Sequence, residues 1–391
     1  MATGATAASG ADPGITARTI LLGGTAPLSG PDSAYASVAR GADAYFRYVN
    51  ARGGVNGRTI TYKVVDDGSD PVETVEATRR LVEQDKVFAI FNSFGTEHSL
   101  ATRDYLNQLK VPQLFVASGA TTFGRDHRRY PYTIGFQPSY QAEGWIYGTY
   151  LARTKQDARI AVLFQNDDSG RDLLAGLRRG IVRSKAKVVA AEGYDVADPD
   201  VQSQIATLKA AGANTLALFA TPTFAIQAYA FAARLGWRPL IVVSAASSAA
   251  STMTSAAVGT TIKTVESSIS IAYLKDPTDA KWRADAAMKL YRSVLAKYAR
   301  GANAKDLQHV HGMAVAYEAV RLLKATGKNP TRAAVLAQMR KLSDASNPFL
   351  LPGITVRTSE TERFPVEQAL LRRWSQGSWR SFGGLWGYRA G

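Results

Sequence analysis

Four histidines and no cysteine limit the chemistry open to this chain of 391 residues. The imidazoles are His98, His127, His309 and His311. Side chains two apart on a helix diverge, so His309 and His311 do not form a ligand pair there. No Gly-x-Ser-x-Gly elbow, no Gly-x-x-x-x-Gly-Lys phosphate cradle and no Gly-x-Gly-x-x-Gly turn occurs. Without cysteine there is no thiol nucleophile, no thiolate metal ligand and no disulfide. The expectation is a protein that performs no catalysis and carries no cofactor and no metal.

A different chemistry is written in the short stretch "VASGAT" (116–121), where an apolar run ends in small residues and hydroxyls. Such a loop leaves backbone N–H groups approachable, and N–H groups at the start of a helix attract anions. Similar endings recur in "FNSFGT" (91–96), "FQNDDSG" (164–170), "FATPTF" (219–224) and "VSAASS" (243–248). Each follows an apolar run of strand length.

The elements that place these loops are legible as an internal repeat. "DPVETVEATRRLVEQDKVFAIFNS" begins at Asp70 and "DPDVQSQIATLKAAGANTLALFAT" at Asp198, each an Asp-Pro helix start running into a strand. Asp70 to Phe91 and Asp198 to Phe219 are both 21 positions. "YLNQLKVPQLFVAS" and "FAARLGWRPLIVVS" then continue the two halves alike. Earlier, Thr19–Leu22 and Arg159–Phe164 each open a strand, helix and strand, the later strands being Thr59–Val65 and Lys187–Ala190. Strands alternating with helices at this spacing make parallel sheets flanked by helices, with ligands beyond the carboxyl ends of the strands. The fold class is therefore α/β, in two similar lobes, and facing strand-end loops enclose a cleft. The length also asks for two domains.

The formal charge of +15 is spread over clusters at Arg125–Arg129, Arg178–Lys187 and Arg372-Arg373. No stacking aromatics or helix-turn-helix accompany them, so they read as solvated surface and no nucleic-acid partner is expected. No run approaches the ~20 apolar residues of a membrane span. The opening residues, 1–14, read as a flexible leader, left by a removed signal or native to the chain.

"GGTAPLSGPDSAYASVARGADAYFRYVNARGGVNGRTI" (23–60), "QNDDSGRDLLAGLR" (165–178) and "LPGITVRTSETERFPVEQALLRRW" (351–374) resemble the branched-chain amino-acid-binding family. These are solute-binding proteins of ABC importers with the type I periplasmic-binding fold. The likeness spans residues 14–391. It implies a three-strand hinge, with crossings near Phe136–Tyr140, Glu266–Ile271 and Ala345–Pro348. One lobe is then 15–137 with 269–345, and the other 138–268 with 346–391. It further implies a monomer outside the cytoplasm, periplasmic or anchored at the cell surface, that delivers a small carboxylate to a membrane permease.

The resemblance places the ligand carboxylate on Ser93 and on Gly119, Ala120 and Thr121. Tyr35, Phe94, Ser169, Phe224, Ala245 and Ala246 are the expected walls. The sequence departs from the family at two places. Ser169 stands where the amino-acid binders have a tyrosine, and the loop Ser244–Ser248 lacks their ammonium-holding carboxylate. Asp168 is the remaining partner for an amine or hydroxyl. An aromatic or aliphatic organic acid is expected in preference to a zwitterion. The alternatives are an amino-acid binder proper, or a ligand-sensing receptor or regulator of the same fold.

Overall fold

A computed structural model describes residues 12–388. Its first sheet comprises β1 (Thr19–Ala26), β2 (Thr59–Asp66), β3 (Ala89–Phe91), β4 (Gln113–Val116) and β5 (Thr133–Gly135). The second contains β6 (Arg159–Gln165), β7 (Lys187–Tyr194), β8 (Thr215–Phe219), β9 (Leu240–Val243) and β10 (Ile269–Ala272). A small antiparallel pair, β11 (Ser343–Asp344) and β12 (Val356–Arg357), precedes a terminal hairpin of β13 (Gln368–Ser375) and β14 (Ser378–Gly387). The first sheet is ordered β2-β1-β3-β4-β5 and is parallel throughout. The second is ordered β14-β13-β10-β9-β8-β6-β7, and its five β6–β10 strands repeat the first sheet's order. The repeat in the sequence is thus a repeat in topology, extended at one edge by the antiparallel hairpin.

The two Asp-Pro signals behave differently. Asp70 caps the helix Pro71–Glu83, its carboxylate accepting the Val72 N–H at 2.7 Å. Asp198 instead accepts from Asp195 N–H, and the matching helix begins three residues after Pro199, at Gln202. Strand β7 also continues past the expected Ala190, to Tyr194.

One crossing between lobes lies well away from its expected place, and another just past it. The chain leaves the first core at Phe136 and enters the second through the helix Tyr140–Thr154. The second crossing is expected near Glu266–Ile271; strand β10 pairs within the second sheet, so the chain leaves after Ala272. Phe349, Leu350, Ile354, Val356 and Val366 bury in the first core, so the third passage lies at 366–368 and not at 345–348. The cause is the apolar run Phe349-Leu350-Leu351, anchored by a bridge between Leu350 and Leu274. Of the expected leader only Asp12–Gly14 is described; the rest lies outside the described residues. Asp12 accepts the Arg332 N–H, which ties that end to the first lobe.

Each lobe is closed by a helix pair whose backbones nearly touch. A Cβ on Gly312 would overlap the Val38 carbonyl oxygen, and one on Gly176 the Gln141 carbonyl oxygen. Only glycine permits that approach. These pairs fix the helices that carry site residues. Among the described residues no helix is long and apolar enough to cross a membrane.

Candidate functional site

Between the lobes lies a cavity of about 510 Å³. Its floor and roof are strand-end loops of both sheets, as expected for facing parallel sheets. From the first lobe come Asp32, Tyr35 and the segment Phe94–His98. From the second come Tyr140, Glu143, Asp167, Phe219, Thr221 and Ala245. Ala272, Tyr273, His311 and Arg372 close the remaining side.

Five of the expected wall residues line this cavity: Tyr35, Phe94, Ser169, Ala245 and Ala246. Tyr35 stacks on Phe94 with ring centroids 4.5 Å apart, and its hydroxyl donates across the cleft to the Ala246 carbonyl at 3.1 Å. Ser169 donates to the Asp167 carboxylate, which also caps the helix Asp168–Ile181 by accepting from Gly170 N–H. The expected sixth wall, Phe224, is turned away and packs on Tyr194 at 4.2 Å. Phe219 takes its place in the lining.

The expected carboxylate cradle is not at the cavity surface. Ser93 is buried, and its hydroxyl accepts the Thr25 N–H at 3.1 Å. Gly119 lies behind Tyr140, so close that a Cβ would meet the ring at 2.9 Å. Ala120 N–H donates to the Ser118 hydroxyl, and Thr121 N–H donates across the cleft to the Asp172 carboxylate at 2.7 Å. The displacement begins in β4, where Phe115 adopts the left-handed region (φ 54) and its carbonyl accepts from the Asn92 amide at 2.6 Å. The pairing with β5 shifts at that bulge and re-aims the following loop.

The neighbouring loop supplies what the cradle lacks. Gly95 (φ 98) starts the helix Thr96–Gln108, and Gly95 through His98 line the cavity. Among the described residues no acceptor takes the N–H groups of Thr96, Glu97 and His98. These are the unpaired donors of a helix N-terminus, open to an acidic or carbonyl group. The Thr96 hydroxyl shares a hydrogen bond with Ser118 at 2.7 Å. Asp168 is half-exposed beside Arg171 at 4.0 Å, outside the lining, and its N–H reaches Glu97 at 3.5 Å.

Glu143 is the principal residue missed from the sequence. Its carboxylate accepts from Ala245 N–H at 2.7 Å and from the Tyr147 hydroxyl at 2.9 Å. It therefore stands beside the loop Ser244–Ser248 that carries no carboxylate of its own. Burial pushes its pKa up to about 7, against the lowering effect of those two donors, Ser244 and Arg372. Burial likewise raises Asp32 above the usual carboxylate range, with His98 opposing. His311 donates or accepts at the Tyr273 hydroxyl at 2.8 Å, and burial holds its pKa down to about 4. Arg372, expected on the surface, is buried and bonded to Asp276 at 3.0 Å and to Ser248. Among the described residues no group of three His, Asp or Glu is placed to hold a metal ion.

A sequence profile described as periplasmic binding protein matches residues 19–378. The Leu/Ile/Val-binding protein homolog 2 of Brucella abortus is 29% identical over 198 residues, 50% of this chain and 53% of the relative. The leucine-, isoleucine-, valine-, threonine- and alanine-binding protein of Pseudomonas aeruginosa is 26% identical over 199 residues, 51% of this chain and 52% of the relative. The chain thus spans about half the length of the curated relatives it matches. Among solved structures, a branched-chain amino acid ABC transporter protein of Thermus thermophilus with bound valine superposes with a TM-score of 0.83 at 17% identity, covering 95% of this chain and 97% of that one. A solute-binding protein of an ABC transporter of Rhodopseudomonas palustris, in complex with 3,4-dihydroxybenzoic acid, gives 0.75 at 19% identity, covering 94% and 97%.

Proposed function

This chain belongs to the periplasmic binding protein family, and on that premise we propose that it captures a small carboxylate outside the cytoplasm for an ABC importer. The observation that carries the reading is the cavity between the lobes, lined by strand-end loops of both and bridged by hydrogen bonds. Ligand held by one lobe recruits the other, so binding shifts the population toward the closed form. The closed surface is what a permease would read.

The ligand carboxylate sits at the start of the helix Thr96–Gln108, where free N–H groups and the Thr96 hydroxyl favour an anion. Tyr35, Phe94, Tyr140 and Phe219 supply flat apolar walls, which suits an aromatic or branched aliphatic group. The reading predicts a protein that releases its ligand unaltered. A second reading, an amino-acid binder proper, is favoured by the Glu143 carboxylate beside Ala245.

Mass spectrometry of small molecules co-purifying with the protein tests the proposal. An acid retained by the wild type, and lost when Thr96 and Tyr35 are replaced by alanine, is the expected result. Retention of no small molecule, together with no acid binding in calorimetry, would overturn it.

A further inference from the structure

Arg363 is a cation that the first lobe buries without giving it a hydrogen-bond acceptor. Its side chain is 6% exposed, yet no hydrogen bond leaves its guanidinium among the described residues, and its Nη1 is buried with no acceptor. Other inward arginines have acceptors: Arg332 donates to the Val87 and Phe88 carbonyls, and Arg372 to Asp276 and Ser248. A buried charge left in this state is costly. A second guanidinium stands beside it, and burial together with that neighbouring charge of Arg340 lowers the Arg363 pKa. Arg340 follows the helix Arg332–Met339. The dipole at a helix C-terminus accounts for a cation there, but not for a buried one at position 363. Arg340 Nε also lacks an acceptor. One oxygen, Glu360 Oε2, serves both arginines, at 3.6 Å from Arg340 Nη1 and 4.0 Å from Arg363 Nη2. Both separations are too long for a hydrogen bond. The Glu360 side chain is 73% exposed and lies largely in solvent. On the other flank the Phe364 ring packs on Gly124, and the loop that follows carries Arg128 and Arg129 on the surface. Neither Arg340 nor Arg363 lines the cavity between the lobes.

We propose that Arg340 and Arg363 form an anion site on the outside of the first lobe, built for a phosphate group. Glu360 Oε2 marks where the anion sits. A phosphate presents several oxygens and so reaches both guanidinium forks at once, where Glu360 offers a single oxygen to the two. Its double negative charge matches the two cations left when the Glu360 carboxylate turns outward. The exposed Arg128 and Arg129 add to the field that draws an anion to this face. The phosphate is either free in solution or the headgroup of an anionic lipid, and the same two arginines recognise it in both cases. The site is separate from the ligand trap, and neither reading depends on the other.

Calorimetry of the full chain with inorganic phosphate, against sodium chloride at equal ionic strength, tests the site. Flotation with vesicles of phosphatidylcholine, alone or mixed equally with phosphatidate, tests the source. Phosphate should bind saturably, and about tenfold or more weakly in Arg363→Gln and in Arg340→Gln. Arg340 is partly exposed, so its variant carries the test if Arg363→Gln fails to fold. Glu360→Gln removes the resident competitor and should tighten phosphate binding about two- to fivefold. Flotation with phosphatidate vesicles, lost in the arginine variants, would assign the site to a lipid headgroup. Binding of inorganic phosphate without flotation would assign it to a soluble phosphate. Neither saturable binding nor flotation, or binding that is the same in the wild type and the arginine variants, would overturn the proposal.

Discussion

Two hydroxyls that look interchangeable in the sequence should separate in experiment. Ser93 supports the backbone at Thr25, whereas Thr96 faces the cavity at a helix start. Ser93→Ala should therefore lower stability by about 1–3 kcal/mol and leave affinity nearly unchanged. Thr96→Ala should do the reverse, weakening carboxylate binding by about five- to 150-fold. Chemical denaturation and calorimetry on both variants check the pair. Glu143 adds a pH signature to the ligand-free protein. Its folded pKa, about 7, exceeds the ordinary 4.5, so the folded state binds the extra proton between those values. Stability is then lost as pH rises from about 4.5 to 7, by on the order of 3 kcal/mol in total. Unfolding free energies at pH 5 and pH 8 should show the wild type losing this much relative to Glu143→Gln; parallel profiles would contradict it. Glu143 was invisible in the sequence because it reads as an ordinary acidic residue in the first turn after the Ser139 cap. Arg372 reads as surface for a related cause. In an Arg-Arg pair on a strand the two side chains alternate faces, and one of them had to point inward.

At the scale of elements the repeat was readable because strand and helix periodicities survive even where caps do not. Asp70 caps its helix and Asp198 does not, yet both halves build the same strand order. The course of the loop after β4 is not legible in the sequence, because a bulge depends on a long-range partner, Asn92, which local sequence does not announce. The helices Tyr140–Thr154 and Asp168–Ile181 hold the second lobe's side of the site: one carries Tyr140 and Glu143, the other is capped by Asp167 and carries Ser169. They approach through Gly144 and Gly148 on one helix and Gly176 and Gly180 on the other. Gly176→Ala would force a methyl against the Gln141 carbonyl oxygen and push the pair apart. Overpacking of this kind costs about 1–3 kcal/mol, so the variant should melt several degrees lower and bind ligand more weakly. Unchanged melting and affinity would show that the crossing is looser than described.

Across the whole molecule the two lobes are tied to each other by hydrogen bonds of the protein itself. Tyr35 to Ala246, Thr121 to Asp172 and Asp168 to Glu97 are hydrogen bonds between lobes. The Asp172 contact is also supported by the Gln141 amide at 2.8 Å. Such contacts raise the closed population before binding and so raise apparent affinity. Asp172→Ala should make the ligand-free protein more open and weaken binding two- to tenfold. The central claim is that a small molecule closes the cleft and leaves unchanged, and small-angle scattering of the full chain tests it most directly. The acid that co-purifies with the protein is added to protein stripped of ligand by unfolding and refolding. The account predicts a smaller radius of gyration, less starting compaction in Asp172→Ala, and recovery of the acid intact. A radius of gyration that does not change at saturating ligand, or an acid converted at a rate proportional to protein, would contradict it.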